Sequence, residues 1–308
     1  MSNQIRILCP GQGAQSVGMG RALYEASPVA KTIYDQANQV LGYDLAKVCF
    51  EGPDEQLTRT DVSQPAIFVT SVASYASAVA GGVIDEVGDL TFAGLSLGEY
   101  TALHLGGVFS FEDCLQLVAA RGRFMQEAAT ATPSGMVAIV GADEAVVTEL
   151  CNSASEGETL VPANYNAPGQ IVVSGTLPAC QRFNEQATAR GFKAVPLKVA
   201  GAFHSPIMQP AADRLRAKLD QTKIDENAIS KRTIFSNVTG EPHQDAGRIK
   251  HLLVEQLIKP VKWSQTMQTL IAEGGDDAKF IELAPGRTLA GLAKRINRRL
   301  PVNSLDGG

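Results

Sequence analysis

Ala93-Gly94-Leu95-Ser96-Leu97-Gly98-Glu99 reads G-x-S-x-G between a strand-like apolar run, 90–93, and a helix-like run, 100–105. That order sets a serine on a sharp strand-to-helix turn. Glycines flank it because a side chain at either position would crowd the turn. The turn lifts the hydroxyl clear of the backbone. The amide of Leu97 is then free at a helix start, where N–H groups lack internal partners and favour negative charge. A nucleophile whose attack creates an oxyanion needs that setting. A glycine-rich turn with an incidental serine has the same letters, so the surrounding chain must decide.

The chain has 308 residues, enough for one or two domains around a large core. Hydrophobic residues make up 44% and charged residues 19%, which is ordinary for a globular enzyme. The formal charge is −5, from 27 basic and 32 acidic residues, and points away from nucleic acid. Five scattered cysteines with no C-x-x-C fit reduced thiols in a cytoplasm better than disulfides or a zinc site. Residues 1–4 run straight into an apolar strand, so no signal peptide is expected. The longest apolar run, 66–82, is broken by Thr70, Ser71, Ser74 and Ser77 and reads as a buried helix, not a membrane span.

Before the elbow, a strand at 5–9 ends in Pro10-Gly11-Gln12-Gly13-Ala14-Gln15. The third glycine of G-x-G-x-x-G is missing, with Ser16 in its place, so the loop reads as one whose N–H groups approach a ligand atom. Helices are expected at 19–26, 29–41 and 64–79, with Pro65 in the first turn of the last. Ser110 and Asp113 open a further helix as a capping-box-like pair. Arg121 shares its apolar stripe with Cys114, Val118 and Met125. An inward arginine needs a partner. An internal salt bridge and a fork for an anionic substrate fit the pattern equally.

From about 132 the elements run β-α-β-β-α-β, with strands at 136–140, 159–163, 170–174 and 192–199 and a loop at 164–169. That is a split-βαβ, ferredoxin-like unit. The fold expected is α/β: a large α/β-hydrolase-like body, 1–131 and 200–308, with the smaller subdomain, 132–199, inserted. The cleft between them is a natural ligand site. Beyond it come helices to 219, at 248–258, 264–272 and 289–299, strands at 233–236 and 280–283, and a frayed tail, 302–308.

A serine hydroxyl needs a base. His104 lies on the helix that Ser96 starts, eight residues or about 12 Å along the axis. His243 sits in the polar turn Glu241-Pro242-His243-Gln244, and His251 on a charged helix face. His204, in Gly201-Ala202-Phe203-His204-Ser205-Pro206, follows the inserted unit, where a junction loop can carry a catalytic group. No acid nearby completes a triad, but a backbone carbonyl is enough to fix the imidazole tautomer.

These stretches, with Arg121-Gly122-Arg123-Phe124-Met125-Gln126, Asn164-Tyr165-Asn166-Ala167-Pro168-Gly169-Gln170, Pro260-Val261-Lys262-Trp263 and Leu289-Ala290-Gly291-Leu292, resemble the malonyl-CoA:acyl carrier protein transacylases of bacterial fatty-acid synthesis. The resemblance covers nearly the whole chain in order. It implies malonyl transfer from malonyl-CoA to the phosphopantetheine thiol of acyl carrier protein, with no metal and no cofactor of its own. It implies Ser96 as nucleophile, His204 as base and acid, and amides of Gln12 and Leu97 as oxyanion hole. Arg121 would hold the malonyl carboxylate, and the main-chain carbonyl of Gln256 would orient His204. Met125, Asn164 and Asn166 would line the substrate cleft, the asparagines near the pantetheine arm. Phe203 matches the pattern seen with malonyl selectivity. Leu95 departs from the histidine usual before the serine, which bears on local polarity, and Ala284 from a common glycine.

A monomer in the cytoplasm, without membrane or nucleic-acid partners, is the expected form. The competing readings are a serine hydrolase with the same elbow and a non-catalytic docking subunit. The basic run Lys294, Arg295, Arg298 and Arg299 reads either as a solvated helix face or as a surface for an acidic carrier.

Overall fold

A computed structural model describes residues 4–306. Strands β1 (Gln4–Cys9) and β2 (Asp89–Gly94) lie side by side and parallel, with Cys9 opposite Gly94. Helices cover both faces of such a pair, so its strands are nearly continuously apolar. Ile5, Ile7, Leu8, Leu90, Phe92 and Ala93 are all buried. Arg6 and Thr91 are the exceptions and bond to each other at 2.8 Å.

A smaller antiparallel sheet holds β3 (Ser134–Val140), β4 (Leu160–Ala167), β5 (Gln170–Thr176) and β6 (Lys193–Pro196), in the order β4-β5-β3-β6. Its two faces are both used, as the period of two along a strand requires. Val137 and Ile139 join the core under the helices Glu144–Ser155 and Leu177–Ala189, with Val147, Leu150 and Phe183. Met136 and Val172 belong instead to the core of the larger body.

Strands β7 (Thr233–Ile234), β8 (Lys279–Leu283) and β9 (Val302–Leu305) return to the larger sheet. Its order is β7-β2-β1-β8-β9, parallel throughout. In open α/β sheets ligands bind beyond the carboxyl ends of the strands. Here the loop carrying Gln12 leaves β1 and the Ser96 turn leaves β2 at adjacent points, tied by Leu95 N to Cys9 O at 3.1 Å. The smaller sheet is tied to the segment before the helix Trp263–Gly274 by Tyr165 N to Val261 O, 2.9 Å, and Val261 N to Ala163 O, 2.8 Å.

Several expectations need correction. Residues 302–305 are not frayed: β9 pairs along β8, and Ser304 Oγ donates to the buried Glu282 at 3.0 Å. Residues 307 and 308 lie outside the described chain. Residues 164–167 continue β4 rather than forming a loop, through bulges that let the strand bend. Pro65 is not in a first turn, because the helix starts four residues earlier, Thr60–Ala80, with the Thr60 amide held by Gln126 Oε1 at 3.1 Å. Two short helices, Leu45–Glu51 and Asp54–Leu57, carry too few turns to show a period.

Candidate active site

Ser96 stands at φ 54°, ψ −102°, a conformation that L residues seldom adopt. Two glycines make it possible. A Cβ on Gly94 would lie 2.0 Å from the Gly98 carbonyl, and one on Gly98 would lie 2.1 Å from the Cys9 oxygen. Asn237 clamps the turn from outside: its Oδ1 accepts from the Ser96 amide and its Nδ2 donates to the Gly94 carbonyl, each at 2.7 Å. The serine thus heads the helix Leu97–Leu105.

His204 comes from the loop after β6 and also has positive φ, 57°. Ser174 Oγ donates to Phe203 O at 2.5 Å and Ser205 Oγ to Ala202 O at 2.7 Å, which fixes that loop. Nε2 of His204 lies 2.8 Å from Ser96 Oγ, and Nδ1 lies 2.6 Å from the main-chain oxygen of Gln256. A carbonyl only accepts, so Nδ1 carries the proton and Nε2 offers its lone pair to the serine. Burial pushes the His204 pKa down to about 4; the Arg121 charge pushes the same way and the Gln256 carbonyl opposes both. The ring rests neutral, the state in which Nε2 can accept a proton.

Arg121 is fully buried on the helix Phe111–Ala131, behind the serine. The expected Ser110 cap is present, accepting from the Asp113 amide at 3.1 Å. Nη1 of Arg121 donates to Gln64 Oε1 at 2.7 Å, and Nη2 to Gln256 Oε1 at 2.9 Å and Ser96 Oγ at 3.1 Å. Its guanidinium also lies 5.1 Å from the Tyr100 ring centroid. No carboxylate pairs with it among the described residues, so the internal salt bridge is not what holds it. Neutral oxygens take the Nη1 and Nη2 donors and leave the charge uncancelled. Nε has no partner among the described residues.

A cleft of about 260 Å³ opens over Ser96 and His204. Gln12, Met125, Asn164, Asn166 and Phe203 line it, as do Met136 and Val172 from the smaller sheet. Leu97, Arg121 and Gln256 do not reach its surface; they back it from below, all three fully buried. The Gln12 and Leu97 amides have no hydrogen-bond partner among the described residues. Asn166 Oδ1 and Gln170 Oε1 are likewise unpartnered. Leu95 lines the cleft and packs on the cluster that holds Val261, Trp263 and Leu289. Ala284 is a main-chain partner of Ser71 and Ser74, at 2.7 and 3.2 Å.

A family model described as an acyl transferase domain matches residues 7–301. The chain is 42% identical over 300 residues to the malonyl CoA-acyl carrier protein transacylase of Bacillus subtilis (strain 168), covering 97% of this chain and 92% of that one. The solved malonyl CoA-acyl carrier protein transacylase of Coxiella burnetii superposes with a TM-score of 0.93 at 36% identity, covering 99% and 95% of the two chains. A malonyl-transacylase solved in complex with a type II PKS acyl-carrier protein gives a TM-score of 0.91 at 35% identity, covering 98% of this chain and 96% of that one. The chain belongs to the malonyl CoA-acyl carrier protein transacylase family.

A polar layer beneath Ser96 escaped sequence reasoning. Glu99, Asn237, Gln64 and His243 are all buried there. His243, in its polar stretch, turns inward: its Nε2 lies 2.9 Å from Glu99 Oε1, 144 residues away. The G-x-S-x-G motif runs directly into Glu99, and a carboxylate on the inward side of a buried helix is the one signal that was legible. His104 bonds to Phe109 O at 3.0 Å, and His251 is exposed beside Glu255, so neither faces the cleft. Among the described residues no helix is long and apolar enough to cross a membrane, and no three His, Cys, Asp or Glu are placed to share a metal ion.

Proposed function

We propose that the chain carries a malonyl group from malonyl-CoA to the phosphopantetheine thiol of an acyl carrier protein, through an ester on Ser96, for fatty acid biosynthesis. One observation carries the reading: Ser96 Oγ lies 2.8 Å from His204 Nε2 and 3.1 Å from Arg121 Nη2. The nucleophile therefore has a base on one side and an uncancelled cation on the other.

His204 Nε2 takes the hydroxyl proton as Oγ attacks the thioester carbon. The oxyanion forms at the Gln12 and Leu97 amides. The carbon–sulfur bond breaks and His204 returns the proton to the leaving thiolate. The carrier thiol then repeats the steps in reverse. Arg121 turns its guanidinium from neutral oxygens to the malonyl carboxylate, a charge-assisted contact about twice as strong as a neutral one. Asn166 Oδ1 and Gln170 Oε1, with Asn164 and Met125 beside them, suit the amide N–H groups of a pantetheine arm. Phe203 narrows the acyl end against branched groups.

Residues 1–131 and 200–308 act as the catalytic body, and 132–199 as the subdomain that walls the cleft. The protein itself brings no cofactor, since the pantetheine arrives on the substrate and on the carrier, and it works as a cytoplasmic monomer. Intact-mass analysis after mixing with malonyl-CoA tests the reading: the wild type gains a malonyl adduct, Ser96→Ala does not, and carrier protein removes it. An equal adduct on Ser96→Ala, or malonate released without carrier as fast as transfer, overturns it.

A further inference from the structure

Glu99 is fully buried three residues after the nucleophile and takes no part in the bond changes at Ser96. Its carboxylate accepts from every neighbour. Oε1 faces His243 Nε2 at 2.9 Å; Oε2 takes the Asn237 amide at 3.1 Å and Gln256 Nε2 at 2.6 Å. The Gln256 contact is the one with consequence. That side chain is also fully buried, and its Nε2 donates to the Ser96 carbonyl at 2.9 Å as well.

All three partners of Nε2, Asn237 Oδ1 at 3.4 Å being the third, are acceptors, so the amide is held in one flip. The opposite flip would set Oε1 against a carboxylate and a carbonyl, and Nε2 against a guanidinium. In the observed flip Oε1 receives Arg121 Nη2 at 2.9 Å, while the main chain of the same residue receives His204 Nδ1 at 2.6 Å. Gln256 is thus a two-sided pivot: one side aims the cation, the other aims the base.

We infer that Glu99 is a positioning residue for acyl-group selection: through the Gln256 amide it aims the Arg121 guanidinium at the place a substrate carboxylate takes beside Ser96. The inference rests on the malonyl-transfer reading above. Glu99 also reaches Asn237, whose side chain clamps the elbow, so one carboxylate braces both the cation and the nucleophile turn. Arg121, lacking a direct carboxylate, keeps its N–H groups on neutral oxygens that a substrate anion can displace.

The test is Ser96-ester formation from malonyl-CoA and from acetyl-CoA, read by intact mass as a ratio. Gln256→Met keeps the main-chain carbonyl for His204 and removes only the side-chain pivot. It is expected to lower the malonyl-to-acetyl ratio about tenfold or more, the scale of a hydrogen bond to a charged group. Glu99→Leu should do the same, and Glu99→Gln, which can still offer an oxygen to Gln256, should restore most of the ratio. The double variant Glu99→Leu/Gln256→Met should be no less selective than Gln256→Met alone, because both changes break one relay. An unchanged ratio in Gln256→Met overturns the inference even if Glu99→Leu does not fold. So does an equal fall with both thioesters in Glu99→Leu, or a double variant in which the two losses multiply. Absence of any malonyl ester on the wild type would instead sink the malonyl-transfer reading beneath it.

Discussion

The Nδ1 atom of His204 lies 2.6 Å from the main-chain oxygen of Gln256, in the place a carboxylate holds in a serine–histidine–acid triad. A neutral carbonyl fixes the tautomer as well as an acid does, but it offers an imidazolium less charge. Burial, and after it the Arg121 cation, hold His204 down at about 4 against the upward pull of that carbonyl.

The consequence for rate is a displaced acid limb. On the proposed reading the working form is the neutral ring, which persists until the pH falls to the folded pKa. The kcat/KM for Ser96 acylation, which reports the free enzyme, should therefore hold well below pH 6.5 and turn down only toward about 4. In kcat the limb should move upward, because a bound malonyl carboxylate offsets the Arg121 charge that depresses His204. Rapid-quench acylation across the range measures both. A kcat/KM limb at 6.5 would mean the base is some other group.

The same shift links stability to pH. Between about 6.5 and about 4 the unfolded chain binds a proton at residue 204 that the folded chain refuses, so stability falls as the pH falls through that window. His104, lowered by burial, adds in the same direction. The His204 share amounts to about 2 kcal/mol between pH 7 and pH 5. Urea midpoints for His204→Gln should lose correspondingly less over that interval than the wild type. Parallel curves for the two proteins would assign the acid loss elsewhere.

Arg121→Ala separates binding from structure. Two guanidinium contacts to a carboxylate, at about 1.5–3 kcal/mol each, set the expected loss of malonyl ester formation at about 10²-fold or more. Acetyl-CoA has no carboxylate to lose, so its ester should gain relative to malonyl. Competition between the two thioesters, read by mass, checks this; an unchanged preference would make the arginine a purely structural group.

What the chain made legible was local. The elbow is five consecutive positions, 94–98, whose two glycines are demanded by contacts of 2.0 and 2.1 Å, so its spacing shows in the sequence. Arg121 is betrayed by its place on an apolar stripe. His204 emerges by exclusion of the other three histidines. What stayed hidden was non-local. His243 sits among polar letters, and the bridge between Phe235 and Pro242, its own amide on Ile234 O at 2.8 Å and the pairing with Glu99 fold it inward. Residues 302–305 have no period of their own and become a strand because β8 offers an open edge. The partner of Arg121 could not be chosen in advance because three neutral acceptors on three distant segments share it.

Two glycines separate what the elbow needs from what a helix merely tolerates. A Cβ on Gly11 would lie 2.2 Å from the Leu95 carbonyl oxygen, backbone against backbone with nothing flexible to yield. Gly11→Ala should push the Gln12 loop off the Ser96 turn and spoil the Gln12 amide proposed for the oxyanion. Removing such a donor costs about 10²–10³ in rate, so kcat should fall on that scale with malonyl-CoA and acetyl-CoA alike. Gly291, inside the helix Thr288–Ile296, has nothing within 4 Å of its virtual Cβ. Gly291→Ala should raise stability by about 0.5–1 kcal/mol through backbone entropy, with acylation unchanged. Urea denaturation and acylation rates on the pair decide the matter. Full activity in Gly11→Ala would mean that the close packing of this loop on the elbow does not set the oxyanion geometry.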